Sequence, residues 1–453
     1  MTVAVIEKNA PLPPLVKGLP LIGSGLRLMN DPLRFLVRTY QEYGAVFRMN
    51  AGPRQMFVLA GLEANQFLGR WGAEYLGSEV LFGGFARELG TDDFLVALDG
   101  ERHRELRRMM RAGYSRAALL PHFAQVVEVT RTMLRAQPLG ARVRVLPLLQ
   151  RIVTEQLGAV LVNRAPGEYF EDIRVFLRFV MNAPVMKVWH PSTLKLPAYR
   201  KAKARVFELA RLVMEENRAL PAGALPSGSL IADLLAFRDE RGEPLSESAL
   251  LAAIIGPYFA GMDTVASTLG FMLYALLKNP LVLARVQADV DALFADGRVP
   301  DLQALKQAEA LYAATIETLR MYPVAAFTPR TATKTFEFGG YTIPQGAEVL
   351  VANGVTHYLP EYFAEPERFE IDRYIAPRAE HRQAGVFAPF SLGEHTCLGA
   401  NMAETQLMLT MAAILRTVRL QLSPPSFQVQ VQMTPIPSPG NRFQVRILEQ
   451  RAW

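Results

Sequence analysis

One cysteine, Cys397, is all that the 453 residues contain. An internal disulfide is therefore excluded, and a reducing, cytoplasmic setting is expected. Gly/Ser tracts, blocks of like charge and internal repeats are also lacking. Nothing marks a linker, so one large domain over 11–453 is expected behind a flexible lead at 1–10. The opening Met1-Thr2-Val3-Ala4-Val5-Ile6-Glu7-Lys8 holds too short an apolar run for a secretory signal or a membrane anchor. A longer apolar stretch, 249–277, could span a bilayer, but Asp263 near its centre would cost roughly 2.5–3.5 kcal/mol on insertion. A buried helix is the better reading. Half of the residues are hydrophobic and 20% are charged, as in a globular chain with a large core.

What is present is mostly helical in period. Apolar residues recur at three-and-four spacing over 32–43, 117–136, 146–162, 199–218, 247–278, 281–294, 302–321 and 400–417. Strand signals are fewer. Segments 45–49 and 55–59 flank Asn50-Ala51-Gly52-Pro53, and 335–338 and 341–343 flank Gly339-Gly340, a two-residue hairpin signal. Segments 427–433 and 443–448 alternate polar and apolar residues, which predicts half-buried strands. The expected fold is mainly α with small β-sheets (α+β), entered through a stiff, extended Pro11-Leu12-Pro13-Pro14.

Four constellations carry chemistry. Cys397 lies in Phe390-Ser391-Leu392-Gly393-Glu394-His395-Thr396-Cys397-Leu398-Gly399, just ahead of a predicted helix. Packing, nucleophilic attack and metal ligation are all open to a lone cysteine. The helix N-terminus favours a thiolate, and the bracketing glycines allow backbone to approach a ligand closely, so ligation is the favoured role. Ala260-Gly261-Met262-Asp263-Thr264 sets an acid beside an alcohol in an apolar helix, with two small residues forming a shallow groove for a flat ligand. Gly256-Pro257 upstream predicts a kink. Glu317 and Arg320, three apart, share a helix face and can pair. In an arginine-rich helix His103 and Arg107 share one face, while Arg104, Arg108 and Arg111 form another stripe. The overall charge of +6 is modest, and charge alone leaves nucleic acid, an acidic protein and a bound dianion as partners of that helix.

Together these residues resemble the cytochrome P-450 family of haem-thiolate monooxygenases, from the proline-rich lead-in to the last hairpin. The resemblance implies the family's fold, with haem b between the oxygen-activation helix and the cysteine loop. Cys397 would be the proximal iron ligand, within a Phe-x-x-Gly-x-x-x-Cys-x-Gly signature that includes Phe390, Gly393 and Gly399. Ser391 stands where a glycine is frequent. Ala260, Gly261, Asp263 and Thr264 match the oxygen-activation motif, with the last two moving protons. His103, Arg107, Arg330 and His395 match propionate contacts. Glu317 and Arg320 match the Glu-x-x-Arg pair. Its usual second arginine is carried to Arg373 through the pattern Phe363, Pro366, Phe369, Arg373, Tyr374, rather than to the tempting Arg368.

The same resemblance implies O2 as co-substrate and hydroxylation or epoxidation of a lipophilic small molecule. The substrate would meet Phe82, Phe85, Phe259, Val324, Ala325, Ala326, Phe327 and the turn at 434–436 with Ile436. Two electrons would come from a ferredoxin or flavodoxin type partner with an NAD(P)H reductase, docking on Arg104, Arg108 and Arg111. A monomer is expected, with neither nucleic acid nor a membrane anchor. A haem-thiolate isomerase or dehydratase typically lacks the threonine supplied here by Thr264. A peroxygenase tends to carry arginine near Asp263, and a haem sensor has little need of the acid-alcohol pair. That pair favours monooxygenation.

Overall fold

The computed structural model describes residues 10–221, 223–226, 228–433 and 436–453. The expected lead at 1–10 lies outside the described residues except for residue 10, as do Thr434 and Pro435 of the expected pocket turn. The chain forms two compact units, each woven from three segments. The first takes the described residues up to Gly83, then Val96–Arg104 and Leu319–Cys397. The second takes Gly84–Leu95, Glu105–Thr318 and Leu398–Trp453. Units that interleave in this way have no linker to leave a mark in composition.

The first unit is built on a five-stranded sheet in the order Val46–Ala51, Arg54–Ala60, Glu348–Ala352, Thr328–Ala332, Leu76–Gly77. The expected first hairpin is tighter than its sequence suggests, because pairing continues to Ala51 and Arg54 and leaves only Gly52 and Pro53 in the turn. Alternate side chains serve opposite faces, as the pleat requires. Phe47, Met49, Val58 and Leu350 join one apolar cluster with Phe35 and Leu36. Phe57, Leu59, Val349 and Val351 join another with Phe67 and Phe336. The hairpin Phe336–Phe338 with Tyr341–Ile343 turns on Gly339 and Gly340, at φ 59° and 80°.

The second unit is mainly helical. Helix Val145–Val162 is buried over most of its length and contacts both Glu247–Met262 and Thr264–Lys278. The stretches Val145–Val162 and Glu247–Lys278 are long and apolar enough to cross a membrane, but 83% and 72% of their apolar windows are buried, which makes them core helices. Ser246 starts the second by accepting the Ala249 amide at 3.2 Å. Pro257 sits inside this helix without ending it, and the interruption falls at Asp263 instead. A buried helix tolerates the one hydrogen bond that proline removes because its neighbours hold it by packing. The expected helices 117–136 and 302–321 are each divided, the first around Pro121.

Strand Gln444–Gln450 lies between Arg142–Arg144 and Val418–Leu422. The predicted strand 427–433 does not form; its one ladder contact is a bridge from Gln432 to Ser438. It follows Pro424 and Pro425, which have no amide hydrogen for a ladder. Val418–Leu422, the direct continuation of helix Ala400–Thr417, takes the place beside Gln444–Gln450.

Candidate functional site

The cysteine loop belongs to the first unit and ends at Cys397, two residues before Gly399, the N-cap of helix Ala400–Thr417. Backbone bonds shape it. The Cys397 amide donates to Phe390 O at 2.9 Å, while the amide and Oγ1 of Thr396 donate to Gly393 O at 3.0 and 2.7 Å. Gly393 is demanded twice over, by a φ of +78° and by the Leu68 carbonyl oxygen, 2.5 Å from where a Cβ would stand. Cys397 is exposed, whereas cysteine outside disulfides is among the most buried residue types.

Ser391 holds φ +60°, a left-handed conformation costing about 1 kcal/mol for a residue with a Cβ. Its hydroxyl compensates. Ser391 Oγ lies 2.9 Å from Thr328 Oγ1, which donates to Asn353 Oδ1 at 3.0 Å. Asn353 Nδ2 then donates to Ala325 O at 3.0 Å and Ala388 O at 2.9 Å. The serine that replaces a glycine therefore ties the loop to strand Thr328–Ala332.

Charged groups of the same unit collect around two histidines. His103 Nδ1 meets Glu394 Oε1 at 3.2 Å, His395 Nε2 meets Asp99 Oδ1 at 2.9 Å, and the two rings lie 4.1 Å apart. Burial would raise the Asp99 carboxyl, but His395 and the amides of Ser78 and Glu79 outweigh it and hold the group below its usual range. Arg330 is buried, and its guanidinium donates to the carbonyl of Pro329 at 2.8 Å. Among the described residues no carboxylate lies within salt-bridge distance of it. Burial pulls it down to about 10, against the opposing charge of Asp99. Arg107 follows His103 by one turn of helix Gly100–Met110 but belongs to the second unit.

Arg320 and Arg373 are buried to 0% and 1% exposure. Arg320 Nη1 donates to His357 O and Pro366 O, each at 2.8 Å, and Nη2 to Arg368 O at 3.3 Å. Arg373 donates to the carbonyls of Ala364, Glu365 and Arg368 and meets Glu380 at 3.3 Å. One carbonyl, that of Arg368, thus serves both guanidinium groups. The Arg368 side chain itself is 67% exposed and pairs with Glu365 and Glu370. Glu317 is fully buried on the helix that carries Arg320. His357, which sequence reasoning missed, closes this cage. Its Nδ1 meets Arg320 O at 3.1 Å and its Nε2 accepts the Ala388 amide at 2.9 Å. Burial holds it down to about 3, so it is neutral.

In the second unit the chain breaks its helix at Asp263. Thr264 Oγ1 donates to Ala260 O at 2.7 Å, which leaves the hydroxyl oxygen free to accept. Ala260 is exposed on an otherwise mostly buried stretch. Gly261 is buried, and a Cβ there would come within 2.2 Å of Leu157 Cδ1, so its smallness serves the packing of helix Val145–Val162 rather than a groove for a ligand. Asp263 Oδ1 accepts from Gln150 Nε2 at 2.6 Å. Burial pushes its carboxyl up, with Gln150 and then Arg174 pulling the other way.

Of the expected substrate contacts, Phe85 and Phe259 belong to one aromatic cluster of this unit. Their centroids are 5.9 Å apart, and Phe259 stacks on Phe176 at 5.5 Å. Ile436 is half-buried in the same unit. Phe82, Val324 and the exposed Ala325 belong to the first unit. Ala326 and Phe327 do not suit the assignment: both pack into the apolar cluster of Leu33, Phe35 and Leu350, because they lead into a strand of the sheet.

The residues present fit the haem implied by the sequence. The first unit offers an accessible sulfur and a buried guanidinium without a carboxylate, as an iron and an acidic group would use. The second offers an exposed alanine on an apolar helix. The cytochrome P450 family pattern matches residues 13–445. A cyclooctat-9-en-7-ol 5-monooxygenase of Streptomyces melanosporofaciens is 28% identical over 422 residues, covering 89% of this chain and 88% of its own. A sterol 14alpha-demethylase of Mycolicibacterium vanbaalenii is 25% identical over 401 residues, covering 87% and 88%. Among solved structures, the retinoic acid bound cyanobacterial CYP120A1 matches with a TM-score of 0.83 at 22% identity, covering 97% of this chain and 99% of its own.

Proposed function

We propose, for a chain that belongs to the cytochrome P450 family of haem-thiolate monooxygenases, that Cys397 ligates the haem iron. The protein is a monooxygenase that takes O2 as co-substrate and electrons from a redox partner. Bound through a thiolate, haem supplies O2 activation and insertion of one oxygen atom into the substrate. The observation that carries the assignment of Cys397 is its exposed position in a loop fixed by Gly393, Thr396 and Phe390.

The remaining roles belong to the chain's own side chains. His103, Arg107, Arg330 and His395 bind the propionates, and the anion-short Arg330 is the most direct support. Phe390, Gly393 and Gly399 shape the loop, and Ala260 leaves room for a ligand. Glu317, Arg320 and Arg373 brace the segment leading to it. Thr264 Oγ1 holds a water by accepting a hydrogen bond from it, and Asp263 passes protons towards that water.

The substrate is a lipophilic small molecule, met by Phe82, Phe85 and Phe259, the last two with rings 5.9 Å apart. Sterol and retinoic acid in the names of similar proteins support that class. The electron donor is an acidic ferredoxin or flavodoxin. It docks on Arg104, Arg108 and Arg111, all exposed. The enzyme works as a cytoplasmic monomer. Reconstitution with haem, NAD(P)H, a surrogate ferredoxin and its reductase tests this reading. Labelled O2 should appear in a product of a compound that shifts the Soret band, and turnover without O2 or electrons would refute it.

A further inference from the structure

Asp263 is held by an amide, where a cation would have been the common choice for a half-buried carboxyl. Gln150 reaches it from helix Val145–Val162, with Nε2 at 2.6 Å from Oδ1. The approach is fixed, because the same two helices close up where Gly261 receives Leu157. The one charged group acting on Asp263 among the described residues is Arg174 of helix Phe170–Val180. Its guanidinium is already bound to Glu171, at 3.0 and 2.5 Å.

An acid that relays protons must both accept and release one. A lysine or arginine in contact would pin it in the ionised form. An amide does not pin the acid in this way: with the proton on Oδ2, its NH2 still donates to Oδ1, more strongly in the carboxylate than in the acid. Binding at Oδ1 also leaves Oδ2 as the oxygen that carries the proton. We propose that Gln150 is a positioning residue for proton delivery, holding Asp263 in one orientation through both protonation states. The inference rests on the reading of Asp263 as the relay.

The test compares haem-loaded wild type, Gln150→Leu, Gln150→Arg and Asp263→Asn. The carboxyl infrared band that Asp263→Asn abolishes reports Asp263 protonation as pH is varied. Gln150→Leu should move its midpoint up and Gln150→Arg down, each by about one unit, the size expected for a hydrogen bond to a charged group. Peroxide released per NAD(P)H should rise in both. Should the leucine variant not fold, Gln150→Met, closer in shape, replaces it. An unchanged midpoint, or unchanged peroxide release, in a folded variant overturns the inference. Unchanged peroxide release in Asp263→Asn overturns the relay reading itself, and the inference with it.

Discussion

Two buried arginines in the first unit and one acid in the second are treated in opposite ways. Arg320 and Arg373 share the Arg368 carbonyl and reach those of His357, Pro366, Ala364 and Glu365. Asp263 has one neutral amide. A cation surrounded by fixed carbonyls is satisfied in one geometry only, so such a cage specifies structure. An acid whose one hydrogen-bonding partner among the described residues is an amide keeps that bond in either protonation state, so that arrangement leaves chemistry possible. On the proposed role of Asp263, rigidity and proton traffic fall in different places in the chain.

The comparison breaks most visibly at the cage. Arg320→Leu leaves the His357 and Pro366 carbonyls without their donor and should cost about 3–5 kcal/mol. Denaturant unfolding and haem uptake measure this; a variant as stable as wild type would remove the cage from the account. Asp263→Asn should do the reverse, cutting product formation about a hundredfold while shifting stability by under about 0.5 kcal/mol. A matching loss of stability would show that the acid is structural after all.

Acidity separates the regions next. His357 titrates near 3 in the folded chain and near 6.5 when unfolded. Its contribution is complete above about 6.5 and is lost as pH falls towards 3, by about 1.4 kcal/mol per unit where the proton difference is full. The raised Asp263 carboxyl has the opposite sign: its contribution is present below the ordinary carboxylate range and lost as pH rises through the folded value. Unfolding followed from pH 6.5 to 5 should therefore be shallower for His357→Asn than for wild type, by about 2 kcal/mol over that span. Equal slopes would contradict a neutral, buried His357.

The smallest effect concerns Ser391. Ser391→Ala keeps the left-handed φ but loses the bond to Thr328, and should cost about 1 kcal/mol. Ser391→Gly loses the same bond but relieves the strain, so it should come out near neutral. Equal losses would mean that backbone strain plays no part.

These regions were unevenly legible in the sequence. Arg373 could be told from Arg368 only through the family pattern that Phe363, Pro366 and Phe369 match, whereas the cysteine loop was marked by its glycines, where backbone geometry dictates residue type. His357, Asn353, Thr328 and Gln150 carry no such mark; each is an ordinary polar residue until tertiary folding supplies its partner. Pro257 predicted a kink in a helix that runs on through it, whereas the interruption at Asp263 was not foreseen. Gly261 looked like a groove and is a helix contact. Strand Val418–Leu422 escaped notice because it follows its helix without a turn. The alternating 427–433 read as a strand although prolines precede it.

The central claim is that Cys397 carries the iron as a thiolate. The carbon monoxide difference spectrum of reduced, haem-loaded Cys397→Ser tests it most directly. The red-shifted Soret band of wild type should be lost in the serine variant while haem remains bound. A variant that keeps that band would contradict the account.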